Sequence, residues 1–63
     1  MISLHRPSGQ LLVLNPDLIE TVERCDQATA IVLTTGNVLE VVETPDAVRA
    51  AVLAYRRAIV AGP

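Results

Sequence analysis

The segment Asn15-Pro16-Asp17 constrains the fold more than any other, because it interrupts a chain that otherwise alternates apolar and polar residues as strands do. A helix could begin here, with Asn15 as the N-cap and Pro16 at the first helical position. The residues after it favour strands, however, and residues 18–22 supply only one turn of a helical apolar stripe. Pro16 also cannot donate a hydrogen bond to a strand ladder. We therefore predict a corner between two strands, with no helix longer than one turn.

Short strands are predicted on both sides of this corner, before residue 44. They cover residues 2–6, 10–14, 18–24, 29–35 and 38–43. Two of the connections are tight turns, because the proline of Pro7-Ser8-Gly9 presets φ and both residues of Gly36-Asn37 tolerate a positive φ. Strands joined by short turns usually pair with their neighbours in the chain. The sequence therefore predicts an antiparallel meander of about five short strands, either open or curled toward a barrel.

The apolar period changes at residue 44, where a helix is predicted to begin. Thr44 is suited to the N-cap and Pro45 to the first helical position. Residues spaced by four, three and four positions form one apolar face, which consists of Val48, Val52, Tyr55 and Ile59. We predict one C-terminal helix over about residues 45–61, packed on the sheet with Tyr55 mostly buried.

A chain of 63 residues is long enough for one domain, and we assign residues 1–63 to a single domain of the α+β class. A domain this small usually needs disulfides, a metal or oligomerisation for its stability. Cys25 is the only cysteine and His5 the only histidine, which argues against an intrachain disulfide and a zinc site. Oligomerisation is the remaining route.

The strand faces also predict a homo-oligomer, because several strands are apolar on both sides. In the strand 10–14, Leu11 and Val13 alternate with Leu12 and Leu14. One helix can cover only one face of the sheet, which leaves apolar side chains on the other. A symmetric contact with a second copy would cover them.

Charge and motif content argue against several classes of protein. Seven acidic residues stand against five arginines, with a net charge of −2, which disfavours a general nucleic-acid binder. No apolar run approaches the roughly 18 residues of a membrane span, and the N-terminal residues lack the apolar region of a secretion signal. The chain has no phosphate-binding, metal-binding or nucleophile motif. We expect a cytoplasmic protein that is not an enzyme, with no cofactor, no metal and no small-molecule substrate.

Two groups of residues are candidates for binding a partner. The first is the corner, where Asn15 and Asp17 either form a recognition loop or serve only as turn residues. The second is the cationic side of the helix, where Arg49, Arg56 and Arg57 either dock an acidic partner or form a solvated face.

Three segments of the chain together resemble a known family. They are Leu14 to Glu20, Thr35-Gly36-Asn37 ahead of a strand and a proline-initiated helix, and Tyr55-Arg56-Arg57 late in that helix. The order and content of these segments resemble the FlbD/SwrD-like family of small flagellar and swarming-motility proteins. The resemblance implies a cytoplasmic protein that acts in motility and has no known catalytic activity.

Three functional hypotheses follow. The first is an interaction protein of the flagellar system that forms a homo-oligomer and contacts its partner through the two candidate groups. The second is an oligomeric nucleic-acid-binding regulator, which requires all five arginines to converge on one surface, namely Arg6, Arg24, Arg49, Arg56 and Arg57. The third is an assembly adaptor with no connection to motility.

Overall fold

The computed structural model describes residues 1–60, and it shows five strands followed by one helix. The elements are β1 (Ile2–His5), β2 (Leu11–Leu14), β3 (Ile19–Cys25), β4 (Ala28–Leu33), β5 (Val38–Val41) and α1 (Pro45–Val60). The helix packs on the strands, so the predicted α+β class with one C-terminal helix is confirmed. The predicted end of the helix at residue 61 lies outside the described residues.

The corner at Asn15-Pro16-Asp17 is confirmed, and it contains a single turn of 3-10 helix over Pro16–Leu18. Asn15 itself has an extended backbone, as expected for a residue that precedes proline. Its side-chain Oδ1 accepts a hydrogen bond from the backbone N–H of Asp17 at 3.0 Å. Strand β3 begins immediately afterwards, at Ile19.

The strands divide into two antiparallel sheets rather than one continuous meander. The hairpin pairs β1 with β2, and the larger sheet has the order β3-β4-β5. The chain turns away at the corner, so β2 and β3 do not pair. A backbone hydrogen bond of 2.9 Å, donated by Val42 to the carbonyl of His5, joins the two sheets beyond the end of β5.

The core lies between the two sheets and the helix. Its buried apolar residues are Ile2, Leu4, Leu14, Ile31, Leu33, Val41 and Val48. Val48 is fully buried, whereas Val52 and Tyr55 are partly buried against this core. Ile59 is 61% exposed, so its assignment to the buried stripe was wrong. The helix is about 24 Å long at 1.5 Å per residue, and Ile59 lies in its last turn.

The helix begins as the sequence predicts. The Thr44 hydroxyl accepts a hydrogen bond from the N–H of Ala47 at 3.1 Å, which satisfies one donor that has no partner within the helix. Asp46 lies in the first turn, where a negative charge is favoured by the helix dipole.

Several apolar side chains point away from the core, as the alternation within the strands predicts. Leu11 and Val13 of β2 are 57% and 55% exposed. Val38 of β5 and Val42, just beyond it, are 60% and 52% exposed. These residues are the unburied apolar groups on which the prediction of a homo-oligomer rests, and the homo-oligomer itself stays a prediction.

Candidate interaction site

An apolar groove of about 490 Å³ lies between β3 and α1. The residues that line it are Ile19, Val22, Pro45, Asp46, Val48, Arg49, Val52, Leu53 and Arg56. Strand β3 is the outermost strand of its sheet, so no further strand covers the space beside it in the part of the chain that is described. An open apolar groove of this size is a candidate for binding a segment of a partner.

The lining residues of the groove are positioned by the register of β3 and by the period of α1. Ile19 and Val22 are three residues apart, so strict alternation would place them on opposite faces, and the register irregularity between Ile19 and Thr21 brings both to the same face. Strand β3 directs Ile19 and Val22 toward the helix, because their cross-strand partners on β4 are core residues. On α1, Arg49 and Arg56 are seven residues apart, which is two helical turns, so both lie on the same side of the helix. The groove therefore combines an apolar floor with two cationic side chains.

The corner approaches the same helix. The Asp17 carboxylate lies 4.0 Å from Nη2 of Arg56, and both side chains are largely exposed. Such an exposed ion pair contributes little to stability. The ion pair does bring the corner into contact with the cationic side of the helix. Asn15 holds the backbone of Asp17 in place through its side-chain oxygen.

The five candidate residues are thus only partly brought together. Arg49 and Arg56 line the groove, and Asp17 reaches Arg56. Asn15 acts as a cap for the corner. Arg57 is exposed and is not among the residues that line the groove.

The apolar part of the groove was not predicted from the sequence. Leu53 is 41% exposed and lies off the predicted stripe of α1, and Val22 was assigned only to a strand. The available signal was an apolar residue adjacent to the stripe, Leu53 after Val52, which widens the apolar side of the helix.

A second polar feature joins β1 to the segment between β5 and α1. The Glu43 carboxylate accepts a hydrogen bond from the backbone N–H of His5 at 2.9 Å, and its other oxygen lies 2.8 Å from Nδ1 of the His5 ring. Partial burial raises the pKa of Glu43, but the hydrogen bonds from His5, the backbone N–H of Glu43 itself and the electrostatic attraction of His5 together lower the pKa by more. The net result is a pKa below the ordinary value of 4.5.

Comparison with known protein families identifies the family of this chain. A sequence model of the family described as FlbD, flagellar and swarming motility proteins, matches residues 1–60. The chain belongs to the FlbD family. Membership indicates a role in flagellar and swarming motility. No curated protein and no solved structure gives a significant match.

The arginines of this FlbD-family chain are distributed over several elements. Arg6 follows β1, and Nε of Arg24 donates a hydrogen bond to the backbone carbonyl of Asp26 at 3.3 Å. Two of the five arginines line the groove. This placement gives no specific support to a surface on which all five converge.

Within residues 1–60 of this FlbD-family chain, no group of three or more metal-ligating side chains is assembled. Over the same residues, the helix is too short and too polar to span a bilayer.

The lowered pKa of Glu43 in this FlbD-family chain predicts a pH-dependent stability. A carboxyl group whose pKa is lower in the folded state stabilises the fold above its unfolded-state pKa, and this stabilisation is lost as the pH falls through the folded-state pKa. We expect the urea midpoint of the wild type to exceed that of Glu43→Gln at neutral pH. The difference should shrink as the pH falls below 4.5.

The matched control is Glu40→Gln, which changes an exposed carboxyl group on β5. Its midpoint at neutral pH should stay near that of the wild type. A difference between wild type and Glu43→Gln that does not change across this pH range would contradict the assignment to the His5–Glu43 pair.

Proposed function

We propose that the chain supports flagellar and swarming motility as a non-enzymatic, cytoplasmic homo-oligomer. It binds another protein of the flagellar system through the groove between β3 and α1. The observation that carries this proposal is the groove itself, in which the apolar residues Val22, Val52 and Leu53 lie beside Arg49 and Arg56.

The chemistry of the groove selects the partner by two properties. The apolar floor favours side chains that leave water on binding, and this burial supplies most of the affinity. The two arginines favour carboxylates, which steer the partner and set its orientation. The partner segment is therefore amphipathic, with apolar residues toward the floor and acidic residues toward Arg49 and Arg56.

The corner contributes to the rim of the same surface. Asp17 lies near Arg56 and is 69% exposed at its side chain, so an acidic partner must displace it from the arginine. Because this exposed pair is weak, the displacement costs little. Asp17 therefore does not block an acidic partner from Arg56, and Asn15 holds the backbone of Asp17 in place.

A homo-oligomer strengthens this interaction. Each copy presents one groove, so linked copies raise the effective concentration of the second site after the first has bound. A modest affinity for each groove then suffices for a stable complex.

The proposal is tested by reversing the charge of the groove. We expect a strain that carries Arg49→Glu with Arg56→Glu in place of the wild-type gene to lose most of its swarming on soft agar. Both side chains are exposed, so the change should leave the fold intact. Circular dichroism and the urea midpoint of the purified variant check the fold.

The matched control is Arg57→Glu, which reverses a charge on the same helix but outside the groove. It should swarm like the wild type. Normal swarming of the double variant, or an equal loss with Arg57→Glu, would show that the groove is not the binding surface.

A further inference from the structure

The two sheets have four outermost strands in the part of the chain that is described, namely β1, β2, β3 and β5, and their outer edges differ in character. The edges of β1 and β5 meet at the hydrogen bond from Val42 to His5, and β5 also carries the charged residue Glu40. The free edge of β3 carries Glu20, Glu23 and Arg24 and has an irregular register between Ile19 and Thr21. Charges and bulges are the usual features that protect an edge from pairing with another chain. The free edge of β2, Leu11–Leu14, has four apolar residues, no charge, no proline and a regular register. It is the edge that lacks protection.

The hydrogen bonds of the hairpin show which backbone groups this edge presents. Arg6 donates to the carbonyl of Gln10 at 2.9 Å, so this pair belongs to the hydrogen-bonded set. Such pairs alternate along an antiparallel ladder, and Leu4–Leu12 and Ile2–Leu14 are therefore hydrogen-bonded as well. It follows that the N–H and C=O groups of Leu11 and Val13 point away from β1.

The carbonyl of His5 confirms this alternation on the opposite side of the hairpin. His5 is paired with Leu11, and its carbonyl accepts a hydrogen bond from Val42, which lies on the side away from β2. The odd-numbered residues of the hairpin thus direct their backbone groups outward on both of its edges.

We propose that the β2 edge is a self-association surface, at which β2 of one copy pairs antiparallel with β2 of a second copy about a two-fold axis through Leu12. In this register Leu11 of each copy lies opposite Val13 of the other copy. Each of these two pairs exchanges two hydrogen bonds, so all the outward backbone groups of Leu11 and Val13 are satisfied. The two hairpins form one four-stranded sheet.

The side chains fit the same register. On the outer face, Leu11 and Val13 of both copies form a cluster of four apolar side chains, which are more than half exposed in the single chain. No charged residue faces another across the axis, since β2 has none. The β2 edge of a second copy is therefore complementary to this edge both in its backbone hydrogen bonds and in its apolar side chains.

The contact is smaller than the roughly 800 Å² per partner of a standard interface. We therefore expect a dissociation constant in the micromolar range rather than an obligate dimer. This inference specifies the homo-oligomer of the proposed function. It leaves the groove free, so the two proposals can fail separately.

The experiment measures the dimer directly by sedimentation equilibrium of the purified chain. The wild type should show a reversible monomer–dimer equilibrium. Leu11→Glu places a negative charge in the apolar cluster of each copy and should weaken the dimer on the order of tenfold or more. The residue is exposed in the monomer, so its urea midpoint at low concentration should change little.

A second substitution tests the register. Adding Val13→Lys to Leu11→Glu places opposite charges across the axis and should restore most of the dimer, whereas Val13→Lys alone should not dimerise well. Val38→Glu, which changes a comparably exposed valine on β5, should dimerise like the wild type.

Two outcomes overturn the proposal, and a third separates it from the proposed function. A wild type that stays monomeric at high micromolar concentration shows that the edge is not a self-association surface. A dimer that is weakened by Val38→Glu and not by Leu11→Glu places the contact elsewhere. If Leu11→Glu abolishes the dimer but the strain swarms normally, the dimer is real and the homo-oligomer of the proposed function is wrong.

Discussion

Replacing Ile31 by alanine is expected to destabilise the fold by about 3 kcal/mol or more, as large-to-small changes in a packed core do. Ile31 is fully buried in the central strand of the larger sheet, where it is paired with Val22 on one side and Leu39 on the other. A small domain has a total stability near the low end of the usual range, about 5 kcal/mol. The urea midpoint of Ile31→Ala should therefore fall by more than half, and the folded baseline should shorten.

Val38→Ala is the matched control for this experiment. It removes apolar groups from a residue that is 60% exposed on a neighbouring strand of the same sheet. It should change the stability by less than about 0.5 kcal/mol. If both substitutions had similar small effects, Ile31 would not be a core residue, and the burial of the larger sheet would be wrong.

Replacing Thr29 by valine is expected to destabilise the protein by about 1–3 kcal/mol, although valine has nearly the same shape. Thr29 is completely buried, and its hydroxyl donates a hydrogen bond of 2.6 Å to the backbone carbonyl of Glu43. Valine removes the donor and leaves that carbonyl without this hydrogen bond in a partly buried position. Chemical denaturation of the two proteins at neutral pH measures the difference.

Thr21→Val provides the matched comparison, because Thr21 is exposed on β3 and its hydroxyl is free to bond to water. It should be nearly neutral. A Thr29→Val protein as stable as the wild type would mean that the hydrogen bond to Glu43 contributes no net stability.

Glu43 takes part in two hydrogen-bonded contacts, one through its backbone and one through its side chain. The carbonyl of Glu43 is bonded by Thr29 of β4, and its carboxylate is bonded by His5 of β1. The residue therefore connects the two sheets just before α1 begins. We expect Glu43→Gln to retain the Thr29 contact, because that contact uses the backbone.

The candidate binding residues could be predicted only as clusters of charge or of turn residues. Arg49 and Arg56 stand out in the sequence because their spacing places them on one side of a helix. Whether they lie beside apolar residues depends on the position of β3 relative to α1. No pattern in the sequence indicates that position. Arg57 follows Arg56 directly in the chain, yet the helical rotation of about 100° per residue turns it away from the groove.

Features that depend on a few neighbouring residues could be predicted from the sequence alone. Pro16 and the residue before it have restricted backbones, so the corner follows from local sterics. Thr44 and Pro45 define the start of α1 through one hydrogen bond and a preset φ. The alternation within β2, β4 and β5 likewise predicts which side chains share a face, whereas the register irregularity of β3 breaks the alternation there.

Features that join distant parts of the chain follow from tertiary packing and could not be predicted in this way. His5 and Glu43 are 38 residues apart, and no local pattern indicates that they meet. The division into two sheets and the exposure of Ile59 depend on the angle at the corner and on the length of α1 relative to the strands. These are properties of packed elements in three dimensions, whereas propensity and periodicity report only on a residue and its near neighbours along the chain.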